Sequence, residues 1–164
     1  MEREEEARGL WRMLHCMQLI LAHIGSKPSE EFAALTKMYL DRMAGYCPAT
    51  SEGFKTEAAF LEWVGRQRSR PYVVMLDSRG RSFSSEGFAQ FIAARREESV
   101  RQLVFAVGPA DGWSETALSV GRITLSLGPM TLAHSVARVV LAEQLYRAFT
   151  ILAGHPYHTG HSAI

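Results

Sequence analysis

The 164-residue sequence predicts an α/β fold, a mostly parallel sheet flanked by helices. Short apolar runs alternate with segments of helical period along the chain. The runs at 71–76 and 103–107 are continuously apolar, which suits strands covered on both faces. The strand-like runs end in loops rich in glycine, proline or polar residues, at Leu76-Asp77, Gly108-Pro109 and Gly128-Pro129. Ligands in such folds sit at the carboxyl ends of strands, so the convergence of these loops is the candidate site.

Met17-Gln18-Leu19-Ile20-Leu21-Ala22-His23-Ile24 reads as the first strand, closed by a turn at Gly25. Pro28-Ser29 opens a helix through about residue 44, with Phe32, Leu35, Met38, Tyr39 and Met43 as its apolar face and Gly45 as its stop. Residues 46–54, which hold Pro48 and Gly53, read as a short strand or a loop. Thr56 is placed to cap a helix through about residue 68, with Phe60, Leu61 and Val64 inward. The apolar run at 71–76 ends at Asp77, and Ser78-Arg79-Gly80-Arg81 reads as a turn. Ser84-Ser85-Glu86 starts a helix with Phe88, Phe91 and Ile92 on one side. A strand over 101–107 stops at Gly108-Pro109-Ala110-Asp111-Gly112, and a short helix near 113–120 and a strand over 122–127 follow. Gly128-Pro129 breaks regular structure. Beyond it, Val136, Val139, Val140, Leu141, Leu145, Phe149 and Leu152 recur at helical spacing and predict a long, mostly buried helix. Thr131 or His134 is expected just before its first turn.

Composition narrows the function. The length suits one domain, and the 47% hydrophobic content is that of an ordinary globular chain. No apolar run approaches the length needed to span a bilayer, and the acidic start Met1-Glu2-Arg3-Glu4-Glu5-Glu6 lacks the pattern of a signal peptide. Cys16 and Cys47 form no C-x-x-C pair and no disulfide framework, which fits a reducing cytoplasm. The net charge of +1 gives weak support for a nucleic-acid partner, although Arg66, Arg68, Arg70, Arg79, Arg81, Arg95, Arg96 and Arg101 crowd the middle of the chain.

No G-x-G-x-x-G or phosphate-loop motif is present, which argues against a nicotinamide enzyme or a kinase. Glu143 and Arg147 stand at i, i+4 and fit an ordinary helix ion pair. An inward Arg138 on the long helix has the chemistry to hold a carboxylate or phosphate. His134 fits a helix-start residue bonded to backbone as well as a role toward substrate. His155, His158 and His161 lack a cysteine or acidic partner, so no metal site is expected there.

The run Met130-Thr131-Leu132-x-His134-x-x-x-Arg138-Val139-x-Leu141-x-Glu143-Gln144-Leu145-Tyr146-Arg147-Ala148, closed by His155-Pro156-Tyr157-His158, resembles the C-terminal signature of the RlmH family. That family comprises SPOUT-class methyltransferases acting on a pseudouridine of large-subunit (23S) ribosomal RNA. The resemblance implies a C-terminal trefoil knot and S-adenosylmethionine as methyl donor, held by backbone from strand-end loops. Leu76, Gly108, Leu127, Gly128, Pro129, Met130, Thr131 and Leu132 are the implied donor-binding residues, with Gly108 letting the chain approach the ligand without a Cβ in the way. It implies that His134, Arg138, His155, Tyr157 and His158 face the substrate, and that His158 and Tyr157 are the candidates to assist the reaction at N-3 of the pseudouridine. It also implies a homodimer, with ribosomal RNA or the assembled ribosome as partner. The family-like strand begins at Met17, so residues 1–16 are expected to be an extension to a domain over 17–164, and the start to be Met17 or Met13. Val107 stands for the first of a glycine pair, Ala133 for a proline, and Thr159 for a basic residue. These departures keep two alternatives open: a SPOUT-like module that binds cofactor or ribosome without turnover, and a SPOUT enzyme with another RNA target.

Overall fold

A computed structural model describes residues 17–159. The expected extension at residues 1–16, Cys16 and His161 lie outside the described residues. Five strands form one sheet: β1 (Gln18–Ile24), β2 (Ala49–Phe54), β3 (Tyr72–Ser82), β4 (Gln102–Val107) and β5 (Ile123–Ser126). Their order is β2-β1-β4-β3-β5 and every pairing is parallel. Among the described residues four α-helices connect them, α1 (Glu30–Met43), α2 (Glu57–Gly65), α3 (Ser85–Glu97) and α4 (Glu115–Val120), and α5 (His134–Leu152) follows β5. A 3-10 turn at Pro156–His158 folds back on α5.

β1, β4 and the first half of β3 are apolar because both their faces are covered. Leu19, Leu21, Leu103 and Phe105 enter one core layer with residues of α1, α3 and α5. Their neighbours Ile20, Ala22, Val104 and Ala106 enter the opposite layer with Phe60 of α2 and Ala117 of α4. A period of two thus divides β1 and β4 between two cores. Fully burying one large side chain such as Phe60 or Phe105 is worth about 1.5–3 kcal/mol.

Caps set the helix starts as the sequence predicts in two places. Thr56 accepts from Ala59 N at 3.2 Å, and Ser84 accepts from Gly87 N at 3.0 Å. Three local expectations are corrected. Leu35 is 42% exposed, and Thr36 and Leu40 join the expected Met43 as the buried residues of α1. Ala133, which offers no side-chain cap, holds the N-cap of α5, and His134 is already helical. The segment 78–81 is part of β3 rather than a turn after it: Leu76 and Arg81 both stand opposite Leu125, so the ladder shifts register between them. Gly80 permits this, because a Cβ there would lie 2.7 Å from the backbone of Thr124.

Candidate active site

Leu76 of β3 is in register with Val107 of β4 on one side and Leu125 of β5 on the other. Because these strands are parallel, the loops that leave them start at one level and on one edge of the sheet. They enclose a cleft of about 210 Å³. Leu76, Gly108, Leu127, Gly128, Met130, Thr131 and Leu132 line it, as the sequence predicts, and His134 joins them from the first turn of α5. Pro129 shapes the loop but does not line the cleft, and its ring is exposed.

The third loop is fixed by its first residues. Gly128 has φ +133°, a region that L side chains rarely adopt. The Ser126 hydroxyl accepts from Gly128 N at 3.1 Å and donates to Gly128 O at 3.0 Å. Met130, 79% exposed, leaves an apolar side chain on the rim.

Sequence reasoning missed Trp113 and placed no role on Asp77. The Trp113 indole N–H donates to the Leu76 carbonyl at 3.0 Å, tying the loop after β4 to the end of β3. The space on the Cβ side of Gly108 is filled by this indole, because a Cβ on Gly108 would lie 2.7 Å from Trp113 Cε2. Glu57 of α2 supports the same loop by accepting from Ser114 N at 2.9 Å and from its hydroxyl at 2.6 Å. Asp77 lines the cleft, and its carboxylate accepts from Arg79 N at 2.9 Å, Nε at 3.0 Å and Nη2 at 3.0 Å. The hydrogen bonds from Arg79 hold the Asp77 carboxyl below its usual range, so it presents an anion to the cleft. Its only sequence signal is a polar residue closing an apolar strand.

The remaining candidates lie elsewhere. Arg138 is buried on α5 and lines a different cavity, formed with β1, α1 and β2. His155, Tyr157 and His158 do not line the cleft. Tyr157 instead packs on the middle of α5. Its ring lies 4.7 Å from that of Tyr146, its hydroxyl donates to Glu143 Oε1 at 3.1 Å, and the Arg147 guanidinium stands 5.0 Å from its ring centre. Glu143 also accepts from Arg147 Nε at 3.0 Å and from Gln144 Nε2 at 2.9 Å. Burial, then the charge of Glu143, pushes the Tyr157 phenol well above its ordinary value. The phenol serves as a hydrogen-bond donor to Glu143. The His155 Nδ1 accepts from Tyr157 N at 3.1 Å and braces the turn. Nδ1 of His158 is buried without a hydrogen-bond partner among the described residues. Among the described residues, no cluster of three or more His, Cys, Asp or Glu is placed to hold a metal, and no helix is long and apolar enough to cross a membrane.

A parallel sheet with a cleft lined by loops at adjacent strand ends, and no phosphate loop, defines an α/β domain with a strand-end cleft of the kind that takes a small ligand. The chain belongs to the SPOUT methyltransferase family: residues 17–158 match the family model described as "Predicted SPOUT methyltransferase". It is similar to the Ribosomal RNA large subunit methyltransferase H of Koribacter versatilis (strain Ellin345), at 42% identity over 146 residues, covering 88% of this chain and 100% of that one. The protein of that name from Christiangramia forsetii is 35% identical over 156 residues, covering 87% of this chain and 99% of its own. That from Rhizobium etli (strain CIAT 652) is 35% identical over 154 residues, covering 84% and 94%.

Proposed function

We propose that this chain transfers a methyl group from S-adenosylmethionine to N-3 of a pseudouridine in 23S ribosomal RNA. The observation that carries the reading is the in-register ending of β3, β4 and β5, which supports one cleft built from their loops. The names of the full-length relatives support ribosomal RNA as the substrate class.

The chemistry of the cleft fits the donor. Loop backbone from Gly108, Leu127 and Gly128 offers N–H and C=O groups to the edge of a base, and Leu76, Leu127, Met130 and Leu132 offer apolar cover to its faces. The ionised Asp77 offers an acceptor for ribose hydroxyls. When bound, the donor supplies an electrophilic methyl on a sulfonium. The protein's share is to align the acceptor nitrogen, exclude water and take the imide proton. His158 and Tyr157 are the candidates for the last role.

The tail packs on the middle of α5, whereas His134 and Ala137 meet the cleft at its start, roughly 9 Å or more away along a helix rising 1.5 Å per residue. This separation supports a homodimer in which the tail of one copy serves the cleft of the other. The same family reading carries the C-terminal trefoil knot, a cytoplasmic setting, and residues 1–16 as an extension to a domain over 17–164.

The test is transfer of labelled methyl to ribosomal RNA, offered as free RNA and as ribosomes, from a strain lacking this modification. Label at N-3 of a pseudouridine is the expected result. Donor binding without any transfer would overturn the reading in favour of a non-catalytic binding module.

A further inference from the structure

A second cavity, about 560 Å³ in volume, lies between β1, β2, α1 and α5. Its ionisable lining is His23, Lys27, Lys37, Asp41 and Arg138. Arg138 is 4% exposed, and two of its nitrogens, Nε and Nη1, are buried without a hydrogen-bond partner among the described residues. Its third, Nη2, reaches the Ser26 carbonyl only at 3.4 Å. Among the described residues no carboxylate pairs with it; the acid nearest in kind, Asp41, is taken by Lys37 at 2.5 Å. A guanidinium always carries its charge, so burying one with most of its donors unused is costly unless a ligand meets it.

Beside it, the His23 ring covers Gly53 of the neighbouring strand. A Cβ at Gly53 would lie 2.7 Å from His23 Nε2, so the glycine gives the imidazole its place. His23 Nδ1 is also buried without a partner among the described residues. Thr50 and Ser51 of β2 add hydroxyls to the wall.

We infer that this cavity is a binding site for a phosphate group, with Arg138 as its buried anchor, Lys27 and Lys37 at its mouth and His23 against the bound oxygens. The excess of cations over the single Asp41 favours an anion of more than one charge, and the unused N–H donors of Arg138 suit oxygen acceptors. The cavity has room for more than a bare ion, so the phosphate group comes either from an RNA backbone or from free phosphate. The site is separate from the cleft at the ends of β3, β4 and β5, and it stands whether or not the chain methylates RNA.

The test is NMR of the His23 imidazole in the whole chain, titrated with inorganic phosphate at constant ionic strength. A saturable shift of its resonances and a rise in its titration midpoint are expected, since a bound anion favours the charged imidazole. Arg138→Gln should weaken phosphate roughly tenfold, the loss of a charge-assisted donor pair. The exposed Lys27→Gln, which leaves the core intact and serves if the arginine variant fails to fold, should weaken it roughly threefold. A short oligoribonucleotide without terminal phosphate that displaces phosphate supports the RNA backbone as the source; failure to displace it supports free phosphate. A shift that does not saturate, or one equal in wild type and Lys27→Gln, overturns the site. Donor affinity measured on the same samples separates this outcome from failure of the methyltransferase reading.

Discussion

The Trp113 indole stands where a side chain on Gly108 would begin: a Cβ there would lie 2.7 Å from Trp113 Cε2 and 2.8 Å from its Nε1. Loop shape at the end of β4 is therefore set by an internal aromatic contact. Gly108→Ala forces the ring aside, and overpacking of this kind costs about 1–3 kcal/mol. The same displacement breaks the N–H bond to Leu76 that joins two walls of the cleft. We expect a lower denaturation midpoint together with weaker S-adenosylmethionine binding by calorimetry. Unchanged values of both would show that the loop has room to absorb the methyl group.

Trp113→Phe separates the two parts of that contact. It keeps an aromatic body in the buried site and removes the donor to the Leu76 carbonyl. Losing a partner of a partly buried carbonyl costs about 1–3 kcal/mol. Donor affinity should fall while the family of strand contacts persists, which amide exchange across β3 and β4 would report. Full affinity would assign the indole to packing alone.

Much of this arrangement is legible in the sequence, for reasons that residues make clear. Val73, Val74, Leu103 and Phe105 announce strands because both faces are buried. The loop at Gly128-Pro129 announces itself by residues that cannot continue a strand. What stays hidden depends on contacts remote in sequence. Ser78-Arg79-Gly80-Arg81 has turn-like chemistry, yet β5 pairs on past it because Gly80 admits the backbone of Thr124. Leu35 and Leu40 are alike in hydrophobicity, and only the packing of α1 against α5 decides that Leu40 is buried. Arg138 reads as an inward arginine, but which cavity it meets follows from the approach of β1 and β2.

His23 predicts a pH dependence of stability. Burial first, and the charge of Arg138 second, lower it from an ordinary 6.5 to about 4. Between these values the unfolded chain binds a proton that the folded chain does not, so stability rises with pH. The contribution is fully present above 6.5 and is lost as pH falls toward 4. His23→Gln should flatten the urea midpoint across this window and change it less above it. An equally steep profile in the variant would place the titration on other groups.

Tyr157→Phe tests the division of labour in the tail. The phenol donates to Glu143, which retains Arg147 and Gln144 as partners. Its removal should cost about 1 kcal/mol of stability and reduce turnover less than tenfold. His158→Ala, by contrast, should cost turnover 100-fold or more, within the range of general acid–base assistance at roughly 10²–10⁴. A collapse of turnover in the phenylalanine variant, with the alanine variant active, would reverse the two roles.

Truncation after Gly154 removes the whole 3-10 turn and tests the tail as a unit. Among the described residues none beyond Ala137 lines the cleft, so S-adenosylmethionine affinity should survive. The methyl acceptor should lose its partner groups, and transfer to RNA should fall below detection. Stability is expected to change as well, because the tail is no loose end. Tyr157 packs edge-on against Tyr146, takes a cation–π contact from Arg147 and donates to Glu143. An aromatic pair and a hydrogen bond of this kind contribute about 0.5–1.5 kcal/mol each. The truncated chain should therefore melt a few degrees lower while remaining folded, and binding must be measured below that transition. Mixing it with full-length chain carrying a donor-cleft substitution such as Gly108→Ala adds a second readout. If one copy's tail serves the other's cleft, the mixture transfers more methyl than the two chains do when measured separately. Full transfer by the truncated chain would show that the turn only braces α5 and that substrate is met elsewhere.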